Sequence, residues 1–181
     1  GSILGSELPL TVTQILWVNL IMDTFAALAL ASLPPDKRVM EEKPRREADF
    51  IISRQMLNWI IGVGLVMISV LMIMLSMWGD DISRYQLAVF FTVFVMMQFW
   101  NLFNARSYGL HKHSGIRLWQ SKGFLLVLLI ILVGQVLIVT FGGEVFRVVP
   151  LTVSDWLVII GATSAIAIGG WIVRMLLRLQ K

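Results

Sequence analysis

Apolar residues run through this chain in blocks of about twenty, broken by short clusters of charge, glycine and proline. Blocks of that size match the roughly 20 residues an α-helix needs to cross a hydrocarbon core about 30 Å thick. Five stretches qualify, at 11–33, 55–78, 85–104, 122–142 and 155–176. Each is predicted to be a helix, because lipid offers no hydrogen-bond partner to an open backbone. The first should stop at Pro34-Pro35, two consecutive residues without an N–H. The others are separated by Gly79-Asp80-Asp81, by a polar stretch from Ala105 to Ser121, and by Gly142-Gly143-Glu144 followed by Pro150. Internal repeats, low-complexity segments and a soluble domain are not found. The predicted class is all-α: a polytopic transmembrane helix bundle with five membrane-spanning helices.

Composition supports a lipid partner. The chain is 57% hydrophobic and only 14% charged, with a mean hydropathy of +0.82, whereas soluble domains carry about 25% charged residues. With no cysteine it has neither disulfides nor a thiolate site. A net charge of +4 does not point to nucleic acid, because the charges sit between the apolar runs. Their placement sets orientation instead. Lys37, Arg38, Lys43, Arg45, Arg46 and Arg54 flank the first connection, Arg106, Lys112, Arg117 and Lys122 the third, and Arg174, Arg178 and Lys181 the tail. Of 15 basic residues only Arg84 and Arg147 fall on the other side, and the crowded side is expected to be cytoplasmic. The amino terminus is then outside and the carboxy terminus cytoplasmic. Trp78, Tyr85, Tyr108, Trp119, Trp156 and Trp171 lie near predicted helix ends, where amphipathic rings meet headgroups. A first span that must translocate its own short start is awkward, so the chain is expected to be a carboxy-terminal piece of a longer one.

One residue contradicts the apolar pattern. Asp23 is the twelfth of the 22 residues from Val12 to Leu33, at the middle of the first span. An aspartate there costs roughly 2.5–3.5 kcal/mol, against roughly 3–6 kcal/mol returned by the Leu, Ile, Val and Phe residues around it. Asn19 consumes part of the remainder. So marginal a helix must face neighbours or water, and ionisable groups at such depth are functional candidates. On an α-helix the i, i+4 spacing puts the Asn19 amide and Asp23 carboxylate on one face, as hard oxygen donors for a hard cation. The alternative is an interhelical hydrogen-bond pair that holds helices together.

The residues from 8 to 35, LPLTVTQILWVNLIMDTFAALALASLPP, closely resemble the sixth transmembrane helix of calcium-transporting P-type ATPases, above all the plasma-membrane type. The resemblance continues in FIISRQM (50–56), in VMMQFWNLFNAR (95–106) and in FGGEVF (141–146). It implies that the five spans are helices six to ten of a ten-helix pump, so that residues 1–181 form its carboxy-terminal transmembrane domain. Asn19 and Asp23 then match the sixth-helix ligands of the transported calcium ion. The implied reaction of the parent is ATP-driven calcium export in exchange for protons, through an aspartyl-phosphate, with ATP and magnesium bound only by the parent chain. Neither a DKTGT nor a PEGL motif is present. The fragment alone is therefore expected to be inactive, to hold no catalytic residue and to carry half an ion site. Its partners would be the remaining helices and cytoplasmic domains of the same parent chain and the lipid bilayer, in the plasma membrane, or the cell inner membrane if prokaryotic.

Two departures separate it from the two-ion reticulum type, which has threonine where this chain has Met22 and glutamate where it has Gln98. A thioether is a poor calcium ligand and an amide supplies less field than a carboxylate, so one calcium per cycle is favoured over two. Gln98 and Asn101, at i, i+3, form a polar stripe in the third span, read either as pathway lining or as interhelical hydrogen bonding. His111 and His113 read as a solvated turn, and the methionines as packing. Gly62, Gly64, Ala162, Ala165 and Gly169 read as close helix contacts. The segment DKRVMEEKPRREAD (36–49) is either a solvated loop on an anionic leaflet or, by resemblance, a coupling connection to the phosphorylation domain. Two rival functions remain: a non-transporting membrane scaffold or assembly subunit, and an ion-coupled secondary transporter, whose inverted repeats are not seen.

Overall fold

The computed structural model describes residues 10–31, 54–79, 81–107 and 122–179. Among them are five helices long and apolar enough to cross a membrane, as predicted. The connections at 34–53 and 108–121, including the mixed-charge segment 36–49 and His111 and His113, lie outside the described residues. The chain divides into two compact units, one of residues 34–79, the other of residues 1–33 and 80–181.

The smaller unit contributes the second span, helix α3 (Arg54–Trp78). At 25 residues and about 1.5 Å per residue it is long enough for the hydrocarbon core. It ends on Gly79, whose φ of 71° is the left-handed conformation that terminates helices and that glycine adopts without Cβ strain.

The larger unit holds the other four spans. The first is composite: α1 (Val12–Asn19), a π-helical segment (Leu20–Ala26), then α2 (Ala27–Ala31). The third is α4 (Arg84–Ser107) and the fourth α5 (Lys122–Phe141), followed by a single turn, α6 (Gly143–Phe146). The fifth is α7 (Val153–Thr163) and α8 (Ala165–Leu179), divided at Ser164.

Capping fixes where three of these spans begin. Thr11 accepts from the Gln14 amide while its own N–H donates to Gln14 Oε1 at 2.8 Å. The same reciprocal arrangement joins Ser83 to Gln86 and Thr152 to Asp155. Each box satisfies two of the N–H groups that a helix start leaves without partners. Thr11 is thus the cap of the first span rather than its first residue, and Thr152 starts the fifth span at Val153, two residues earlier than its hydropathy suggests.

The centre of this unit is α4. Ala88, Phe90, Phe91, Val95, Met96 and Met97 are all buried, and a chain of edge-to-face rings runs from Trp100 through Phe99 and Phe103 to Phe124 of α5. The Arg106 guanidinium lies 4.5 Å from the centre of the Phe124 ring, a cation–π contact in the last turn of α4, which runs past the expected end at 104. Polar groups tie α4 to the fifth span. Trp100 Nε1 donates to Thr163 Oγ1 at 3.1 Å, and Thr163 donates in turn to the Ile159 carbonyl at 2.6 Å. Ser164 Oγ donates to the Gly161 carbonyl. Two adjacent hydroxyls bonding back onto their own helix explain why it breaks there.

The glycine expectation needs correction. Within the larger unit, a notional Cβ on Gly169 meets nothing within 4 Å among the described residues. The close approaches between spans are at Gly134 and Gly170 instead.

Candidate ion site and its seat

The first span is anchored by its opening turns. Gln14, buried and oriented by the capping box, donates through Nε2 to the Phe146 carbonyl of α6 at 2.6 Å. One turn later Trp17 Nε1 donates to Oε1 of Gln135, in the middle of α5, at 3.3 Å. The indole lies over the neighbouring glycine: a Cβ on Gly134 would meet Trp17 Cζ2 and Cη2 at 2.8 Å. Val18 is buried as well. Gln14 and Trp17 thus mark the face of α1 held by α6 and α5.

Beyond that face the helix changes geometry. Asn19 is the last residue of α1, and its side chain is exposed among the described residues. Asp23 is the fourth residue of the π segment, while the side chains of 21–23 lie outside the described residues. The backbone between Asn19 and Asp23 is therefore not the regular α-helix assumed from the i, i+4 spacing. A π turn closes i→i+5 hydrogen bonds and is wider; such turns concentrate at functional sites.

At the far end of the π segment a groove of about 410 Å³ opens between the first span and α4. Ala26, Ala27 and Leu30 line one wall, and Gln98, Asn101, Leu102 and Ala105 the other. The two amides of the predicted polar stripe thus share one groove with the residues that follow Asp23. Both are half-buried, and neither hydrogen-bonds to a described residue. The neighbouring amide, Asn104, faces the other way: it is buried and donates to the Ile166 carbonyl of α8 at 3.0 Å. Among the described residues no cluster of three or more His, Asp or Glu side chains could hold a metal ion.

The opposite chemistry is found at the α6 end. Arg84 pairs with Glu144, and Tyr85 donates to Asp155 at 2.8 Å. The hydrogen bond and the positive charge of Arg84 hold the Glu144 carboxyl below its usual range. Both partners of that pair are largely exposed, so they fasten helix starts and are no cation site.

Trp17, Gln14 and Gln135 were not picked out by sequence reasoning. A signal existed, since Gln135 is the one polar side chain between Phe124 and Val139 and follows a glycine directly.

A family model described as "Cation transporting ATPase, C-terminus" matches residues 7–176. Calcium-transporting ATPase 2 of Cryptococcus neoformans is 35% identical over 170 residues, covering 88% of this chain and 12% of the fungal protein. Probable calcium-transporting ATPase 6, plasma membrane-type, of rice (Oryza sativa subsp. japonica) is 39% identical over 175 residues, 91% of this chain and 17% of that protein. Human plasma membrane calcium-transporting ATPase 4 is 32% identical over 170 residues, 87% of this chain and 14% of that protein. The chain therefore spans only a small part of the length of the relatives it matches.

Proposed function

The chain belongs, as a carboxy-terminal part, to the cation-transporting ATPase family, and from that premise we propose that it is the membrane-embedded carboxy-terminal domain of an ATP-driven calcium export pump in the plasma membrane. Its first span contributes half of the calcium site, through Asn19 and Asp23. The carboxy terminus is cytoplasmic, and the remaining helices and the phosphorylation and nucleotide-binding domains belong to the same parent chain. Calcium as the cargo rests on these relatives, which are calcium-transporting ATPases by name.

The observation that carries the ligand reading is the π segment itself. It sets Asn19 at its start and Asp23 within it, at the middle of a lipid-length helix, beside a groove into which Gln98 and Asn101 project without partners among the described residues. Calcium takes six to eight oxygens. Asn19 and Asp23 supply two or three, the groove amides lie along the approach, and the rest must come from helices of the parent chain. An exposed Asn19 amide on a membrane span is costly unless those helices or the ion cover it. Met22 and Gln98 in place of oxygen-richer residues favour a single calcium per cycle.

Asp23→Asn in the full-length pump tests this reading. It preserves volume and removes the charge on which a desolvated divalent ion depends. Calcium-dependent phosphorylation by ATP should need at least about 100-fold more calcium, equivalent to ~2.7 kcal/mol. Phosphorylation at wild-type calcium concentrations would refute the ligand role and leave helix association as the function of Asp23.

A further inference from the structure

In α5 a run of apolar side chains is interrupted once, by the adjacent pair Gly134 and Gln135. Gln135 is fully buried. A primary amide brings two N–H bonds and a carbonyl that all need partners, whereas leucine at the same place would bury hydrocarbon at no polar cost. Only half the amide is satisfied: Oε1 accepts from Trp17 Nε1 at 3.3 Å, and Nε2 has no partner among the described residues. The other buried uncharged polar side chains, Gln14, Thr92, Asn104 and Thr163, each donate to a carbonyl. Gln135 is thus the position where local stability is given up, the kind of inconsistency that marks functional positions.

What it holds is informative. Trp17 lies two residues before Asn19 and three before Leu20, where the π segment starts. Gly134 removes the Cβ that would collide with the indole, so shape and hydrogen bond act on the same ring. None of the described side chains of the π segment itself, Leu20, Thr24, Phe25 and Ala26, makes a side-chain hydrogen bond to another helix. The last directional restraint before Asn19 and Asp23 is therefore the indole. A slip of the first span by one residue would turn Asn19 by about 100° and shift it about 1.5 Å, and misplacement by about 1 Å is enough to cost a binding or reacting geometry.

We infer that Gly134 and Gln135 form a seat for the Trp17 indole that fixes the rotation and height of the first span, making Trp17 and Gln135 positioning residues for the ion ligands Asn19 and Asp23. This rests on the ligand reading given above. It adds a role for the fourth span, to which the ligand reading assigns none.

The test uses the full-length pump in membranes, with Gln135→Met, which keeps length and removes the acceptor, and Trp17→Phe, which removes the donor. Each should raise the calcium concentration for half-maximal transport at least fivefold, with the maximal rate per pump molecule and the melting temperature little changed. The double variant should be no worse than the poorer single one, because both remove one bond. Half-saturation unchanged in a folded single variant, or additive losses in the double, would overturn the inference. Deuterium exchange across residues 17–26 without calcium separates this from the ligand reading. Faster exchange in Gln135→Met supports the seat even if Asp23→Asn retains its calcium response, and unchanged exchange overturns it.

Discussion

At the scale of single residues, the closest approach to a glycine in the larger unit is that of Asn104 to Gly170. The Asn104 amide reaches the Ile166 carbonyl at 3.0 Å, one turn before Gly170 on α8, and it can do so only because Gly170 has no side chain. A Cβ there would fall within the Asn104 amide group, 2.7 Å from Nδ2. Gly170→Ala must therefore displace a buried amide, and overpacking of this kind costs about 1–3 kcal/mol. At roughly 2–4 °C per kcal/mol for a chain of this size, the purified protein should melt several degrees lower. Adding Asn104→Ala should recover part of the loss, since it removes the obstructing group, and a double variant with fully additive destabilisation would show that the two residues do not oppose each other. None of this was legible in the sequence. Gly169 and Gly170 are adjacent and indistinguishable by pattern, and only the rotation of α8 against α4 decides which one faces a neighbour. Asn101 and Asn104 divide in the same way, one to the groove and one to α8, because a three-residue step on a helix turns a side chain by about 300° and the groove wall ends between them.

At the scale of elements, α6 gathers one end of the unit. Its Phe146 carbonyl receives Gln14 of α1, its Glu144 pairs with Arg84 of α4, and Tyr85 beside Arg84 donates to Asp155 at the start of α7. The Glu144 carboxyl is held below its usual range by the hydrogen bond and charge of Arg84. A depressed folded-state value means that the pair contributes stability above the ordinary carboxylate range and loses it as pH falls through the lowered value. The melting temperature of the wild type should therefore exceed that of Glu144→Gln near neutral pH, and the two should converge in strong acid. Because both side chains are mostly solvent-exposed, the gap should be small and shrink with added salt. A gap that widens on acidification would contradict the assignment. The capping boxes of this end were readable in principle, as Thr or Ser followed at the third position by Gln or Asp. The π segment was not. Its sequence, LIMDTFA, carries no proline or glycine, and i, i+4 reasoning presupposes the α-helix that it replaces.

At the scale of the whole chain, the spans were legible because lipid permits one solution to a long apolar run, the hydrogen-bonded helix. Which spans are buried was not, because in lipid the logic of burial is reversed. The most apolar helices can face hydrocarbon, while α4, among the least apolar of the five, is the most buried. Orientation depends on charge alone, and the structure adds a constraint to it. The starts of α1, α4 and α7 meet at the α6 end through Gln14, Arg84, Tyr85 and Asp155, so the first, third and fifth spans enter the membrane from one side. With 13 of the 15 basic residues in or beside the first and third connections and the tail of the sequence, the positive-inside rule predicts that this entry side is extracellular. Single cysteines at Asp80, which precedes α4 in the sequence, and at Ser114, which follows it, are placed to test this in a cysteine-free version of the parent pump. A membrane-impermeant thiol reagent should label Asp80→Cys in intact cells and Ser114→Cys only after the cytoplasmic face is opened. Labelling of both from the same side would mean that α4 does not cross the bilayer, and the five-span topology would fall with it.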